Sequence, residues 1–255
     1  MSMEPVAQPL VVAPPAEDEG EKTMTIMEHL QELRMRLATS AGTIVLMMVP
    51  AWFLYNWPAG GIFGLLYDPL QHFGPLHYFG PLDAFTLQLK ISAATAVVLS
   101  LPMLLYQMWA FIAPGLTKGE RKNSIPFVSL GLVLFLLGAY TGWRILPLAL
   151  NFLLGFTTPD LQAVIEAKQW IGFVGIIMLI FGVSFEMPMV LLFLCQIGVI
   201  SSRWLVQKLR YSIFIIYVAS LIITPGADPI SPLVLGTIMT GLYGLAILLA
   251  KLIGK

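Results

Sequence analysis

The chain contains 255 residues, of which 58% are hydrophobic and 11% are charged. A soluble domain usually carries about 25% charged residues, so this composition argues against a water-soluble fold. The apolar runs are long, unlike the short alternating segments of a membrane β-barrel. The formal net charge is zero, so the chain has no overall positive charge that would attract nucleic acid. These features together predict an all-α membrane protein.

The N-terminal segment changes character at Thr25. Residues 1–24 are acidic and proline-rich, which predicts a disordered tail. Thr25 and Glu28 have capping-box spacing, and the apolar residues that follow repeat on one helical face. We expect an amphipathic helix here that continues into a first membrane span at residues 37–57.

A loop and a second span follow. Residues 58–83 are rich in Gly, Pro and aromatic residues and contain neither Lys nor Arg. They predict an extramembrane loop with a short interfacial helix. The second span is predicted at residues 84–111, with Lys90 near its outer end and a kink at Pro102.

The middle of the chain contains two further spans. A charged loop, residues 115–125, precedes a span at 126–154, in which Gly138 and Gly142 form a small-xxx-small pair. Such a pair indicates a helix contact about as often as it arises by chance. After a second outer loop, the fourth span is predicted at residues 170–200.

The last two spans are short. Residues 212–224 form a fifth span of only 13 residues, or roughly 20 Å, and a sixth is predicted at 233–250 before a tail at 251–255. The domain of six spans thus covers residues 25–250. An even number of spans puts both termini on the same side.

The positive charges predict which side this is. Eleven of the fourteen Lys and Arg residues fall on the side of the termini, and only Lys90, Arg144 and Lys168 do not. The positive-inside rule therefore predicts that both termini are cytoplasmic.

Catalytic and metal-binding motifs are missing from the sequence. Cys195 is the only cysteine, so neither an intramolecular disulfide nor a cysteine-based zinc site can form. No His-Glu-x-x-His motif, serine-hydrolase motif or phosphate-binding glycine loop occurs. We expect no enzyme activity, no cofactor and no metal.

Glu186 is the most informative single residue. It interrupts an apolar span, where a carboxylate costs a few kcal/mol, so it should face a partner helix or a water-filled cavity. The alternative is a protonated side chain that donates to a backbone carbonyl freed by Pro188.

Two carboxylates on the predicted cytoplasmic face form a second candidate site. Glu32 lies on the amphipathic helix and Glu120 in the first cytoplasmic loop. Local ion pairs are the alternative explanation: Glu32 with Arg36 at i,i+4, and Glu120 with Lys118 or Arg121.

Four motifs in order carry a family resemblance: residues 29–37 (HLQELRMRL), 105–122 (LYQMWAFIAPGLTKGERK), 181–188 (FGVSFEMP) and 224–228 (TPGAD). Together they resemble the signatures of TatC, the multi-spanning receptor subunit of the twin-arginine protein translocase. The resemblance covers about residues 25–250. It departs at Pro232 and Gly244, where many members carry Gln and a carboxylate, and at Asp83, where Glu is more usual.

The resemblance implies a curved, glove-like bundle in the cytoplasmic (inner) membrane that exports folded proteins using the proton motive force. It implies twin-arginine precursors and single-span TatA/TatB-type proteins as partners, and a homo-oligomer within the complex. The residues it implicates in signal-peptide binding are Glu32, Arg34, Phe111, Leu116, Lys118 and Glu120. It further implicates Glu186 and Thr224 as intramembrane polar residues that contact partner helices, and Asp68, Pro69, Asp83 and Asp228 in the outer loops.

Two other functional classes remain as alternatives. A secondary transporter would use Glu186, Lys90 and Arg144 as an ion or substrate pathway and would move small solutes by itself. An intramembrane protease is disfavoured because a nucleophile and base pair is missing.

Overall fold

The computed structural model describes residues 26–58, 60–112, 124–158, 163–226 and 228–252. The predicted tail at residues 1–24 lies outside this part of the chain, as does most of the charged loop predicted at residues 115–125.

The described residues form α-helices joined by short connections. The helices are α1 Ile26–Leu54, α2 Gly61–Tyr67, α3 Asp83–Ile112, α4 Ser124–Leu154, α5 Ala167–Phe185, α6 Met187–Gln196, α7 Ser202–Gln207, α8 Leu209–Ile223 and α9 Ile230–Leu252. A 3₁₀ turn, Asp68–Leu70, follows α2 directly. The predicted short helix in the first loop is confirmed as α2.

Five helical segments within the described ranges are long and apolar enough to cross a membrane. Four of them are α1, α3, α4 and α9, and the fifth is α5 with α6 taken together. The remaining predicted span corresponds to α8, which has 15 residues rather than 13 and would reach about 22 Å. An apolar membrane bundle is therefore confirmed, with one helix shorter than a bilayer core.

The amphipathic helix and the first span are one continuous helix, α1. Ala51 is its only buried side chain among residues 27–54, and its main packing neighbour is α3. Large apolar side chains such as Val45 and Phe53 are exposed along it. Most of the surface of α1 is therefore left for lipid or for another chain.

Close backbone contact joins α4 to α5. A Cβ added at Gly138 would lie 2.5 Å from the Phe181 carbonyl oxygen, and one at Gly142 would lie 3.0 Å from the Phe181 Cβ. Gly182 of α5 makes an equally close contact with α4, since a Cβ added there would lie 2.8 Å from the Phe135 ring. The Gly138–Gly142 pair therefore marks a helix contact, because no other residue fits there without displacing its neighbours.

The predicted fourth span, residues 170–200, is confirmed as a membrane-length apolar segment, Ala167–Gln196, but this segment consists of two helices. α5 ends at Phe185, Glu186 serves as its C-cap, and α6 begins at Met187 and ends at Gln196. Pro188 has no N–H to donate to the Ser184 carbonyl, and the Glu186 N–H donates to Ser184 and Val183 instead. The break thus places Glu186 at a helix junction.

The largest core cluster lies at the end of the bundle that carries α2, called here the α2 end. Leu66 and Leu70 pack there with buried residues of α3, α4, α5 and α9. The indoles of Trp143 and Trp170 donate to the Leu65 and Leu66 carbonyls at 2.9 Å and 3.0 Å. These bonds fix the C-terminal end of α2 to α4 and α5.

Candidate functional site

At the opposite end of the bundle, polar side chains join the first turns of α1 to the last turns of α3. Arg36 donates from Nε to Glu32 Oε1 at 2.9 Å and from Nη1 to Gln107 Oε1 at 3.0 Å. The i,i+4 spacing puts Glu32 and Arg36 on one face of α1. The Glu32–Arg36 ion pair, which the sequence offers as the alternative explanation for Glu32, is formed, and the Arg36 side chain also reaches α3.

An aromatic contact completes this group. The His29 imidazole stacks on the Phe111 ring with the centroids 4.2 Å apart and the planes 11° apart. The same imidazole lies with Nδ1 3.6 Å from Glu32 Oε2. Glu32, Arg36, His29, Gln107 and Phe111 are called the α1–α3 cluster below.

The Glu32 carboxylate is only partly used inside the α1–α3 cluster. Both Arg36 bonds go to Oε1, whereas Oε2 is buried and has no hydrogen-bond partner among the described residues. The Glu32 side chain is 18% exposed and Arg36 is 24% exposed, so solvent screens this pair less than a surface pair. A carboxylate with one unused, partly desolvated oxygen is suited to accept hydrogen bonds from a guanidinium group.

The predicted signal-peptide residues divide into two sets. Glu32 and Phe111 are brought together through His29, whereas Arg34 is exposed on α1, two residues beyond Glu32 and therefore on a different face of the helix. Leu116, Lys118 and Glu120 lie outside the described residues. His29 and Gln107 are not among the predicted site residues, although both lie inside the motifs at residues 29–37 and 105–122.

Glu186 is the second polar position. Both carboxylate oxygens are buried and have no hydrogen-bond partner in the described part of the chain. A Cβ added at Gly131 would lie 3.2 Å from Oε2 and 3.2 Å from Met189 Sδ. The carboxylate therefore points at α4, across a gap that exists because residue 131 is glycine. The alternative considered for Glu186, a bond to a carbonyl freed by Pro188, is not formed.

The three residues of the transporter alternative are not brought together. Glu186 packs beside Gly131 of α4, and Arg144 lies 13 residues further along the same helix, or about 20 Å. A Cβ at Gly131 also meets Leu105 of α3, which is 15 residues and roughly 22 Å along that helix from Lys90. The two cations thus lie toward the other end of the bundle.

The turn between α8 and α9 contains two predicted polar residues. Asp228 is buried and accepts from the Ser231 N–H at 2.7 Å, as an N-cap of α9 does. Thr224 is buried at the C-terminal end of α8, and its Oγ1 has no hydrogen-bond partner among the described residues. Asp228 is thus a structural cap, and Thr224 retains an unused hydroxyl.

The predicted outer-loop residues all lie at the α2 end. Asp83 Oδ2 accepts from the N–H groups of Phe79 and Gly80 at 3.1 Å and 2.7 Å and so closes the turn before α3. Pro69 is buried in the 3₁₀ turn, where Asp68 accepts from the Gln71 amide. Among the described residues, no group of three or more His, Cys, Asp or Glu side chains could hold a metal ion.

Comparison with known proteins places these features in a family context. Residues 28–237 match the model of the Sec-independent protein translocase protein (TatC) family. The chain is 35% identical to the Sec-independent protein translocase protein TatC of Helicobacter pylori, over 88% of either chain. It is 37% identical to the TatC protein of Frankia casuarinae over 90% of this chain and 66% of that one.

A solved structure shows the same likeness. The chain superposes on a crystal structure of the twin-arginine translocase receptor TatC with a TM-score of 0.74 and 32% identity. The match covers 89% of this chain and all of the other. The resemblance read from four short motifs is thereby confirmed over most of the sequence.

Proposed function

The chain belongs to the TatC family of Sec-independent protein translocase components, and from this we propose that it is the receptor for twin-arginine signal peptides. The observation that carries the proposal is the Glu32 carboxylate of the α1–α3 cluster, with one oxygen bound by Arg36 and the other unused.

Signal-peptide recognition follows from the chemistry of this carboxylate. A guanidinium presents a planar fork of donors that matches a carboxylate, and such pairs are strongest where water is partly excluded. An arginine of the signal peptide would approach Oε2 of Glu32, and the exposed Arg34 is proposed to contact the peptide from a neighbouring face of α1. The family resemblance implicates Glu120 as the carboxylate for the second arginine, and Leu116, Lys118 and Phe111 as further residues that contact the peptide.

Arg36 has a defined part in this proposal. It holds the Glu32 side chain against α3 through Gln107, so the carboxylate is oriented before the peptide arrives. Its positive charge also repels the arginine residues of an incoming signal peptide. Binding therefore depends on a carboxylate whose negative charge is shared between an internal and an incoming guanidinium.

Partner assembly is proposed at Glu186 and Thr224. Both side chains have buried oxygen atoms without hydrogen-bond partners in the described residues, and each unused group favours a polar contact from another helix. Single-span TatA- and TatB-type proteins are the partners proposed for these positions. Further copies of the chain are proposed to assemble in the same complex.

The membrane arrangement is proposed from the charge distribution and the helix lengths. Six spans, with α8 as the short fifth one, would place both termini in the cytoplasm. The complex would lie in the cytoplasmic (inner) membrane, and the proton motive force would drive export of folded precursors.

Binding of a labelled twin-arginine signal peptide to the full chain in nanodiscs tests the receptor proposal. We expect Glu32→Gln to weaken binding about tenfold, because one charge-assisted bond is lost. Glu28→Gln, one turn earlier on α1, is the matched control and should change binding less than about twofold. Unchanged binding by the double variant Glu32→Gln, Glu120→Gln would refute the receptor proposal.

A further inference from the structure

A cavity of about 460 Å³ lies at the α2 end, between the segment that follows α2 and one face of α4. Its polar lining consists of Asp68, Gln71, His72, Trp143, Arg144 and Asn151. None of these residues belongs to the α1–α3 cluster or to the surroundings of Glu186.

The cavity contains one cation and one carboxylate that are not paired with each other. Arg144 is exposed and makes no ion pair or side-chain hydrogen bond among the described residues. Asp68 is exposed too, and its side-chain partner there is the Gln71 amide. A charged residue within a membrane-spanning helix normally has a partner, so a ligand with both signs of charge would suit this pair.

Aromatic side chains mark the level of Arg144 as the membrane interface. Tyr140 stacks with Trp143 at 6.0 Å between ring centroids, and the Trp143 indole N–H donates a hydrogen bond to the Leu65 carbonyl. Such amphipathic rings concentrate where the bilayer meets water. The cavity therefore lies at the depth of lipid headgroups.

From Arg144 toward the middle of α4, that is, toward its N-terminal end, exposed aromatic and aliphatic side chains form a stripe along the helix. Tyr140, Leu137 and Val133 are 56%, 51% and 60% exposed. From Arg144 to Val133 is 11 residues, or about 16 Å, close to half of a ~30 Å hydrocarbon core. One acyl chain of a single leaflet would cover this stripe.

We propose that this cavity binds a zwitterionic phospholipid with a primary ammonium headgroup, phosphatidylethanolamine. Arg144 takes the phosphate, Asp68 takes the ammonium, and an acyl chain lies along the α4 stripe. A primary ammonium donates hydrogen bonds to a carboxylate, whereas the quaternary ammonium of phosphatidylcholine has no N–H to donate. Phosphatidylglycerol has no cation for Asp68 and brings a net negative charge toward it.

Native mass spectrometry of the full chain in detergent tests the site, with each of the three lipids titrated separately. We expect phosphatidylethanolamine adducts at about tenfold lower concentration than adducts of either other lipid. Equal retention of phosphatidylcholine or phosphatidylglycerol would overturn the proposal. Glycerophosphoethanolamine, which lacks acyl chains, should not compete, and competition as strong as that of the lipid would show a soluble ligand instead.

Variants separate the two charges. Arg144→Gln and Asp68→Asn should each weaken retention of phosphatidylethanolamine about tenfold, and Arg144→Lys should restore most of it. Lys168→Gln, an exposed cation at the same end but outside the cavity, is the matched control and should leave retention within about twofold. Both cavity residues are exposed, so their replacement opens no void in the core. Full retention in the Arg144→Gln variant would contradict the assignment.

Discussion

The Trp143 indole donates to the Leu65 carbonyl at 2.9 Å, although the two residues are 78 positions apart. Within a continuing helix, this carbonyl would accept from the N–H of residue 69. Position 69 is proline, which has no N–H, so α2 ends with an acceptor that its own backbone cannot satisfy. A side chain from α4 supplies the missing donor.

Replacing this donor should weaken the α2 end. We expect Trp143→Phe to lower the free energy of unfolding by about 1 kcal/mol, since the indole hydrogen bond is lost while much of the aromatic surface remains. Trp57→Phe is the control, because Trp57 is exposed. Thermal unfolding in detergent, followed by circular dichroism, gives the comparison, and equal losses in both variants would contradict the role of the bond.

The α4–α5 contact makes a second prediction. Gly138→Ala puts a methyl group 2.5 Å from the Phe181 carbonyl and should destabilise the chain by about 1 to 3 kcal/mol. Gly172→Ala meets nothing within 4 Å and should be neutral or slightly stabilising. Unfolding midpoints of the two variants check this, and matching midpoints would show that the helices can separate without cost.

The receptor proposal predicts a preference between cations. A twin-lysine signal peptide should bind about tenfold more weakly than a twin-arginine one, because an ammonium cannot form the two parallel bonds of a guanidinium. The preference should shrink in the Glu32→Gln variant. Equilibrium binding of the two peptides to the wild-type chain and to the Glu32→Gln variant in nanodiscs measures this preference. An unchanged preference in the variant would show that Glu32 does not bind the arginine.

Asp228 tests the cap of α9. Asp228→Ala removes the acceptor of the Ser231 N–H and should cost about 1 kcal/mol of stability. Asp228→Asn keeps an acceptor and should lose less. If the two variants unfold at the same point, the negative charge, rather than the cap, is what position 228 requires.

The length of α8 predicts a thinner bilayer on its side of the molecule. Its 15 residues reach about 22 Å, roughly 8 Å less than a hydrocarbon core. Electron microscopy of the chain in nanodiscs should show the two headgroup layers closer together beside Ile222 than beside Val133 on α4. Both residues are exposed, and equal separations would mean that tilt and loop residues compensate.

Helix existence could be predicted from the sequence better than helix continuity. Apolar length alone located the long helices, but Pro50, Pro102 and Pro147 lie inside unbroken helices, whereas the helix breaks beside Pro188. A proline always removes one donor. Whether the chain then bends or stops depends on the packing of neighbouring helices, which a single sequence does not contain.

In the candidate site, too, contacts between residues close in the sequence could be predicted, whereas contacts between residues far apart in the sequence could not. The Glu32–Arg36 pair follows from i,i+4 spacing and could be predicted. The bond from Arg36 to Gln107 and the stacking of His29 on Phe111 join residues far apart in the chain. No local pattern specifies these contacts, because they depend on how α1 lies against α3.

The sparse packing of α1 has a consequence for biosynthesis. The ribosome completes α1 before α3, its main packing neighbour, which begins 29 residues later at Asp83. Until α3 has been made, α1 lacks its main packing neighbour, and the apolar surface along most of its length suits it to contact with lipid. Its strongest charge pair, Glu32 with Arg36, lies within the helix itself, so the nascent span can neutralise these charges before any other helix has been made.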